Sequence, residues 1–294
     1  MRLLTCRFEE QTYLGVLLGN EVFLPGRASG SPTEFRDVLT LLDGGKGALA
    51  RLALSAAAAP SGKLFPLDSL ELLAPIPRPR KNVMCLGWNY IDHAQESATV
   101  SGRVLEIPEY PVVFTKSVSS INGPYANIPA HVDLTKKLDW EVELGVVIGK
   151  GGCNIAEATA LEHVFGYTVV NDISARDLQF RHKQYFLGKS LDGACPMGPY
   201  IVTADEVLDP QNLQLRSWVN GVLKQSASTR DMIFSIARTL SILSRGMTLE
   251  PGDIIATGTP AGVGFARTPP EFLKAGDVVE CEVLGIGRLK NEIA

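Results

Sequence analysis

The chain has 294 residues, 45% of them hydrophobic and 20% charged, and its 28 basic and 32 acidic side chains leave a net charge of −4. Such values are ordinary for a globular protein in water, and they offer no basic field to nucleic acid or to an anionic membrane. No apolar run of about 18 residues and no secretory leader stands out. The cysteines Cys6, Cys85, Cys153, Cys195 and Cys281 are widely spaced and form no C-x-x-C. They read as reduced thiols of a cytoplasmic or organelle-matrix protein, with neither a disulfide scaffold nor a zinc site.

In chain order, residues 1–24 read as a small β-meander of Leu3–Phe8, Thr12–Leu18 and Glu21–Leu24, with turns at Glu9-Glu10 and Gly19-Asn20. Two helices are predicted next: Pro32–Leu42, capped by Ser31 or Thr33 and stopped at Gly44-Gly45, and the Ala/Leu-rich Ala48–Ala59. The alternating prolines of Ala74-Pro-Ile-Pro-Arg-Pro-Arg-Lys81 force an extended connector. This divides a small N-terminal domain, 1–74, from a larger one, 75–294. Short apolar strands then alternate with Gly- and Pro-rich corners: Val83–Leu86, Val112–Thr115, Glu141–Ile148, Val164–Val170, Tyr200–Thr203, Leu213–Val219, Asp253–Thr257 and Val278–Val283. One long helix, Met232–Arg245, interrupts them, with Thr229 or Asp231 as cap and Ile233, Ile236, Leu240 and Leu243 on its buried face. The expected class is α+β, mostly β, with a largely antiparallel core.

Acidic and apolar residues alternate through Leu138-Asp-Trp-Glu-Val-Glu-Leu144, the period of a strand with two unlike faces. Asp139, Glu141 and Glu143 then share a face at ~6.6 Å spacing, where each neighbouring pair repels by roughly 2–3 kcal/mol at an effective dielectric of about 20. A wet face tolerates that repulsion, but a covered face needs a cation. Asp172, where the apolar strand Val164–Val170 stops abruptly, offers a third carboxylate to Glu141 and Glu143. Three carboxylates with open positions suit Mg²⁺, Mn²⁺ or Ca²⁺, and no adjacent His favours zinc. Asp139 lies nearer the strand's start and is left out of this set. The structural alternative for Asp172 is a helix N-cap; a helical turn beginning there puts Arg176 and Gln179 on one face.

Three further stretches carry chemistry-bearing side chains. In Gly87-Trp-Asn-Tyr-Ile-Asp-His-Ala-Gln-Glu96, a helical turn capped by Asp92 brings His93 and Glu96 together, which suits either a general base or a surface pair of little consequence. Gly188-Lys-Ser-Leu-Asp-Gly193 places Lys189 in a turn of small residues. Ala256-Thr-Gly-Thr-Pro-Ala-Gly-Val-Gly264 can turn its amide N–H groups, with the Thr257 or Thr259 hydroxyl, toward a carboxylate; it reads equally well as a hairpin corner.

Taken together and in order, these stretches resemble the fumarylacetoacetate hydrolase superfamily. The resemblance is carried by Gly87-x-Asn-Tyr-x-Asp-His-x-x-Glu96, Pro111-Val-Val-Phe-Thr-Lys-Ser117, Asp139-x-Glu-x-Glu143, Asn171-Asp-x-Ser-Ala-Arg-Asp-x-Gln179, Gly188-Lys-Ser190 and Leu249-x-Pro-Gly-Asp-x-Ile-x-Thr-Gly-Thr-Pro-x-Gly-Val-Gly264. It covers about residues 75–294. It implies a mixed β-sandwich roll with a small N-terminal α/β domain, and a homodimer acting on a small keto or enol carboxylate. It further implies Glu141, Glu143 and Asp172 as ligands of Mg²⁺ or Mn²⁺, and His93 with Glu96 as a catalytic dyad on a lid. Arg176, Gln179, Lys189 and Thr259 become substrate contacts, with Lys189 also stabilising an oxyanion.

The leading expectation is hydrolysis of a C–C bond in an acylpyruvate or β-diketo acid, through an enolate held by the metal. Decarboxylation of oxaloacetate and isomerisation of a hydroxymuconate-type diene are the alternatives on the same site. The alternative of another class is a metal-stabilised binding protein without turnover. Trp88, Ser97–Pro108 and Phe180–Leu187 depart most from the family and are expected at the pocket or lid.

Overall fold

The computed structural model describes residues 1–27, 32–100, 102, 104–105 and 107–294. The N-terminal strands are β1 (Arg2–Phe8), β2 (Gln11–Leu18), β3 (Glu21–Phe23), β4 (Leu64–Pro66) and β5 (Glu71–Leu73), with helices α1 (Val38–Asp43) and α2 (Gly45–Ala57) between β3 and β4. Then come β6 (Val83–Gly87), α3 (Ile91–Val100), β7 (Val112–Lys116), β8 (Ile121–Asn122), β9 (Leu138–Asp139), β10 (Val142–Ile148), β11 (Val164–Asn171) and β12 (Ser174–Ala175). The chain closes with α4 (Arg176–Arg181), α5 (Phe186–Lys189), β13 (Cys195–Thr203), β14 (Gln214–Val219), β15 (Val222–Ser228), α6 (Ile236–Leu243), β16 (Ile254–Ala256), β17 (Val278–Val283) and β18 (Gly287–Glu292).

Twelve strands form one sheet, in the order β4-β3-β2-β1-β13-β11-β10-β16-β6-β7 with β5 on β1 and β8 on β13; β15-β14-β17-β18 form a second. Most pairings are antiparallel, as expected of short strands with tight corners. The period of two along β10 sorts its side chains between two layers. Val142, Leu144, Val146 and Ile148 pack with Leu215, Val279, Cys281 and Val283 of the second sheet, while Val147 joins the core beneath α1 and α2. Residues 1–74 are continuous with this architecture, because β1 pairs with β13 through Arg2↔Val202 and Leu3↔Ile201.

Several elements differ in extent from those expected. Pro32–Leu42 is broken: Thr33–Phe35 makes a 3-10 turn, and α1 is capped by Asp37, whose carboxylate accepts the Thr40 N–H at 2.7 Å. Thr33 therefore caps nothing, and Ser31 lies outside the described residues. The long helix shortens to α6 behind a Ser235 cap, since Ser228 and Asp231 close a 3-10 turn over Thr229–Asp231. The acidic strand is also interrupted. Leu138-Asp139 pairs with Ala175-Ser174, Trp140 and Glu141 leave the ladder, and β10 begins at Val142.

The helical corner α4–α5 positions the site most tightly. A Cβ built on Gly188 would lie 2.5 Å from the Gln179 backbone nitrogen and 2.8 Å from the Ala175 carbonyl oxygen. Only a glycine lets α5 approach α4 closely enough to set Lys189 at the sheet's end. Gly188→Ala should destabilise the protein by roughly 1–3 kcal/mol, read as a lowered midpoint in urea unfolding. A midpoint equal to wild type would show that this corner has slack.

Candidate active site

The sheet brings together the acids that the sequence keeps in two segments. Asp172 follows directly on β11, and its N–H donates to the Glu141 carbonyl at 2.9 Å, which draws the two segments into register. Glu141, Glu143 and Asp172 each present an oxygen within 4.8 Å of the others. None is wet: Glu141 is 4% exposed, Glu143 and Asp172 0%. Asp172 is not a helix cap, since Ala175 occupies that position of α4.

Cations answer this buried charge. Lys189 Nζ donates to Glu141 Oε2 and Asp172 Oδ2, both at 2.7 Å, and is itself buried. Lys116, at the end of β7 and wholly buried, donates to Asp172 Oδ1 at 2.6 Å and to the Ile173 carbonyl at 3.0 Å. It was not foreseen as a site residue; a lysine ending an apolar strand reads as a charge escaping to solvent. Arg176 Nη1 reaches Glu141 Oε1 at 2.7 Å and Gln179 Oε1 at 3.0 Å. Burial works against the charged form of Glu141, yet the Lys189 ammonium and the Arg176 guanidinium hold its carboxyl well below the usual range. Asp172 and Glu141 outweigh the same burial on Lys189 and raise its pKa.

The His93–Glu96 pair forms one wall. Both lie on α3, with His93 Nδ1 2.8 Å from Glu96 Oε1. Glu96 is fixed in turn by the Gly262 N–H, 3.0 Å from its Oε2. Gly262 has φ +104°, and a Cβ there would meet the Lys224 carbonyl oxygen at 2.1 Å, so the latch requires glycine. Asn89 pins the foot of α3 by donating to the Thr257 carbonyl at 2.8 Å and accepting the Phe234 N–H at 2.7 Å. The loop read as an anion cradle does bind carboxylates, but they belong to the chain itself. Gly258 N–H donates to Glu143, Gly262 N–H to Glu96, and Gly264 and Phe265 N–H to Asp139. Thr259 lines the cavity with its hydroxyl engaged, donating to the Val142 carbonyl and accepting from Gln225.

A cavity of about 60 Å³ lies between these walls, lined by His93, Glu141, Arg176, Gln179, Lys189 and Thr259 together with Trp88, Phe114, Phe180, Tyr185 and Phe265. Every substrate-contacting and catalytic candidate except Glu96 thus borders one space, and Glu96 stands behind His93. Described parts of the expected lid, including Ser97, border it too.

The acid cluster fits a hard divalent cation. Asp139, Glu141, Glu143 and Asp172 outnumber Lys116, Arg176 and Lys189, leaving one negative charge in excess. Glu143 Oε1 is buried without a hydrogen-bond partner among the described residues, a costly state for a carboxylate oxygen. Burial, Asp172 and Glu141 push the Glu143 pKa well above its ordinary value of 4.5. A raised folded-state pKa gives stability that is present at low pH and lost as pH rises through that pKa. Cation binding competes with that proton, so Mn²⁺ should raise the thermal midpoint more at pH 8 than at pH 5. Glu143→Gln should raise the metal-free midpoint at pH 8 and abolish the Mn²⁺ shift. A shift independent of pH, or preserved in Glu143→Gln, would remove Glu143 from the ligand set.

Comparison with known proteins agrees with this architecture. Residues 82–294 match the family described as Fumarylacetoacetate (FAA) hydrolase C-terminal. The chain is 52% identical over 230 residues, 78% of its length and 75% of the relative's, to oxaloacetate tautomerase YisK of Bacillus subtilis. The fumarylacetoacetate hydrolase of Exiguobacterium antarcticum superposes with a TM-score of 0.85 at 40% identity, covering 100% of this chain and 99% of that one. The maleylpyruvate hydrolase of Sphingobium sp. SYK-6, solved with manganese(II) and pyruvate, superposes with a TM-score of 0.78 at 28% identity, covering 100% and 99%. By sequence and fold, the chain belongs to the fumarylacetoacetate hydrolase family.

Proposed function

We propose that the protein is a tautomerase of a small 2-oxo dicarboxylate of the oxaloacetate type, moving a proton between carbon and oxygen at His93. The observation that carries this reading is the fixed imidazole. With Nδ1 bound to the Glu96 carboxylate, the tautomer is fixed and Nε2 is the ring nitrogen left for the cavity. Nε2 accepts the proton of C3, the electron pair of that C–H bond forms C2=C3, and the keto oxygen takes the charge. Lys189, whose ammonium keeps one N–H beyond those given to Glu141 and Asp172, donates to that oxygen. The proton then returns from Nε2 to the oxygen, giving the enol with all atoms accounted for. Arg176 and Gln179 orient the carboxylates. Mg²⁺ or Mn²⁺ held by Glu141, Glu143 and Asp172 would supply Lewis-acid polarisation of the keto group. In this reading the protein works as a homodimer in the cytoplasm or an organelle matrix.

Two features support tautomerisation over the C–C hydrolysis first expected. The relative that shares 52% of its residues with this chain over 230 positions is named an oxaloacetate tautomerase. The His93 imidazole fixed by Glu96 borders the cavity directly, and a proton shift needs that base with no further reactant. Hydrolysis would need a water held between His93 and a distal carbonyl beside a longer substrate. It remains the second reading, supported by the likeness to the maleylpyruvate hydrolase.

The test follows the ultraviolet absorbance of enol-oxaloacetate with Mn²⁺ present. Wild-type protein should accelerate its decay, and His93→Ala should lower kcat by roughly 10²–10⁴-fold with Mn²⁺ affinity unchanged. Glu141→Ala or Asp172→Ala should lose Mn²⁺ binding and activity together. A faster release of CO₂ from oxaloacetate, or of pyruvate from an acylpyruvate, would transfer the assignment to decarboxylase or hydrolase.

A further inference from the structure

Asp139 is a buried carboxylate in the site with no part in the chemistry above. It is 0% exposed, and both its oxygens are engaged. Oδ1 accepts the Trp140 N–H at 2.8 Å and the Gly264 N–H at 2.6 Å, and Oδ2 accepts the Phe265 N–H at 2.9 Å and Arg176 Nε at 2.8 Å. So saturated, it has little capacity left for a cation or a substrate. Its consequence lies in Arg176. A guanidinium is planar, with five donors in a rigid fork, so fixing one edge fixes the direction of the rest. Nε is held by Asp139, Nη1 by Glu141 and Gln179, and the Phe265 ring lies 4.5 Å from the guanidinium carbon. Nη2 is buried and lacks a partner among the described residues, and Arg176 lines the cavity.

We infer that Asp139, with the Phe265 ring, is a positioning residue that locks the Arg176 fork so that Nη2 is left to take a substrate carboxylate. This deepens the proposed function and rests on its dicarboxylate substrate. Asp139 therefore acts through Arg176 and sets ground-state binding, while His93 and Lys189 set the chemical step.

The experiment is a double-mutant cycle on the Mn²⁺-loaded protein, with malonate binding by calorimetry and oxaloacetate kinetics as readouts. Asp139→Asn should raise the malonate Kd and the oxaloacetate KM by roughly 10–100-fold, with a smaller fall in kcat and unchanged Mn²⁺ affinity. In an Arg176→Ala background the same substitution should add little to either value. Phe265→Leu, which removes only the ring face, should raise both by roughly 2–10-fold, again only while Arg176 is present; it carries the test should Asp139→Asn not fold. Effects that add fully in the Arg176→Ala background would overturn the inference, leaving Asp139 a merely structural residue. So would wild-type protein that binds malonate no better than Arg176→Ala. A wild-type protein that binds malonate through Arg176 but does not tautomerise oxaloacetate would end the proposed function and leave the role of Asp139 standing.

Discussion

The structure depends on one electrostatic constraint: four carboxylates and three cations share one buried region. Removing an ion-paired member of such a cluster strands its partners and costs about 3–5 kcal/mol, so the cluster constrains the elements that contribute to it. Glu143, bonded only to the Gly258 N–H among the described residues, is the exception. β7 delivers Lys116, the β9–β10 junction delivers Asp139, Glu141 and Glu143, the end of β11 delivers Asp172, and the α4–α5 corner delivers Arg176 and Lys189. The break in the acidic strand follows from the same need. On an uninterrupted strand Asp139, Glu141 and Glu143 would face one way; released from the ladder, Glu141 reaches Lys189 and Arg176 while Asp139 turns to the loop after β16.

That loop is the second organising device. Its amides serve carboxylates from three elements: Glu143 of β10, Glu96 of α3 and Asp139 of β9. A backbone segment bonded to all three keeps the imidazole wall at a fixed distance from the acid wall. Positive-φ glycine is the requirement for such a segment, since a side chain at Gly262 would strike the Lys224 carbonyl.

Much of this was legible in the sequence, for reasons of pattern. Alternation marked Glu141 and Glu143, the abrupt polar end of an apolar strand marked Asp172, and the i, i+3 spacing brought His93 to Glu96. What stayed hidden was pairing over long separations. Nothing near Lys116 announces that Asp172 lies 2.6 Å away, and nothing near the glycine loop says which anions its amides receive. The solvent-facing strands β15 and β18, QSAS- and KNE-bearing, carry too few apolar residues for a periodicity argument and were missed. The cap of α1 was misplaced because Asp37 and Thr40 close a capping box further along than the first Ser/Thr candidates.

The division of labour within the site bears on which reaction the fold favours. A proton transfer needs one base at a fixed distance from one carbon, and the doubly anchored His93–Glu96 pair supplies that with no further reactant. A hydrolysis needs a third body, a water with its own orientation, and several polar atoms of the walls are already committed to one another: the Thr259 hydroxyl to Val142, Gln179 Oε1 to Arg176, Glu96 to Gly262. Lys189 keeps one N–H, and Arg176 Nη2 and Ser97 Oγ border the cavity without a partner among the described residues; the two cations suit the carboxylate and keto oxygens of the substrate itself. A fixed base opposite cationic donors is what a proton shift within a bound dianion requires, and the site supplies both from its own side chains.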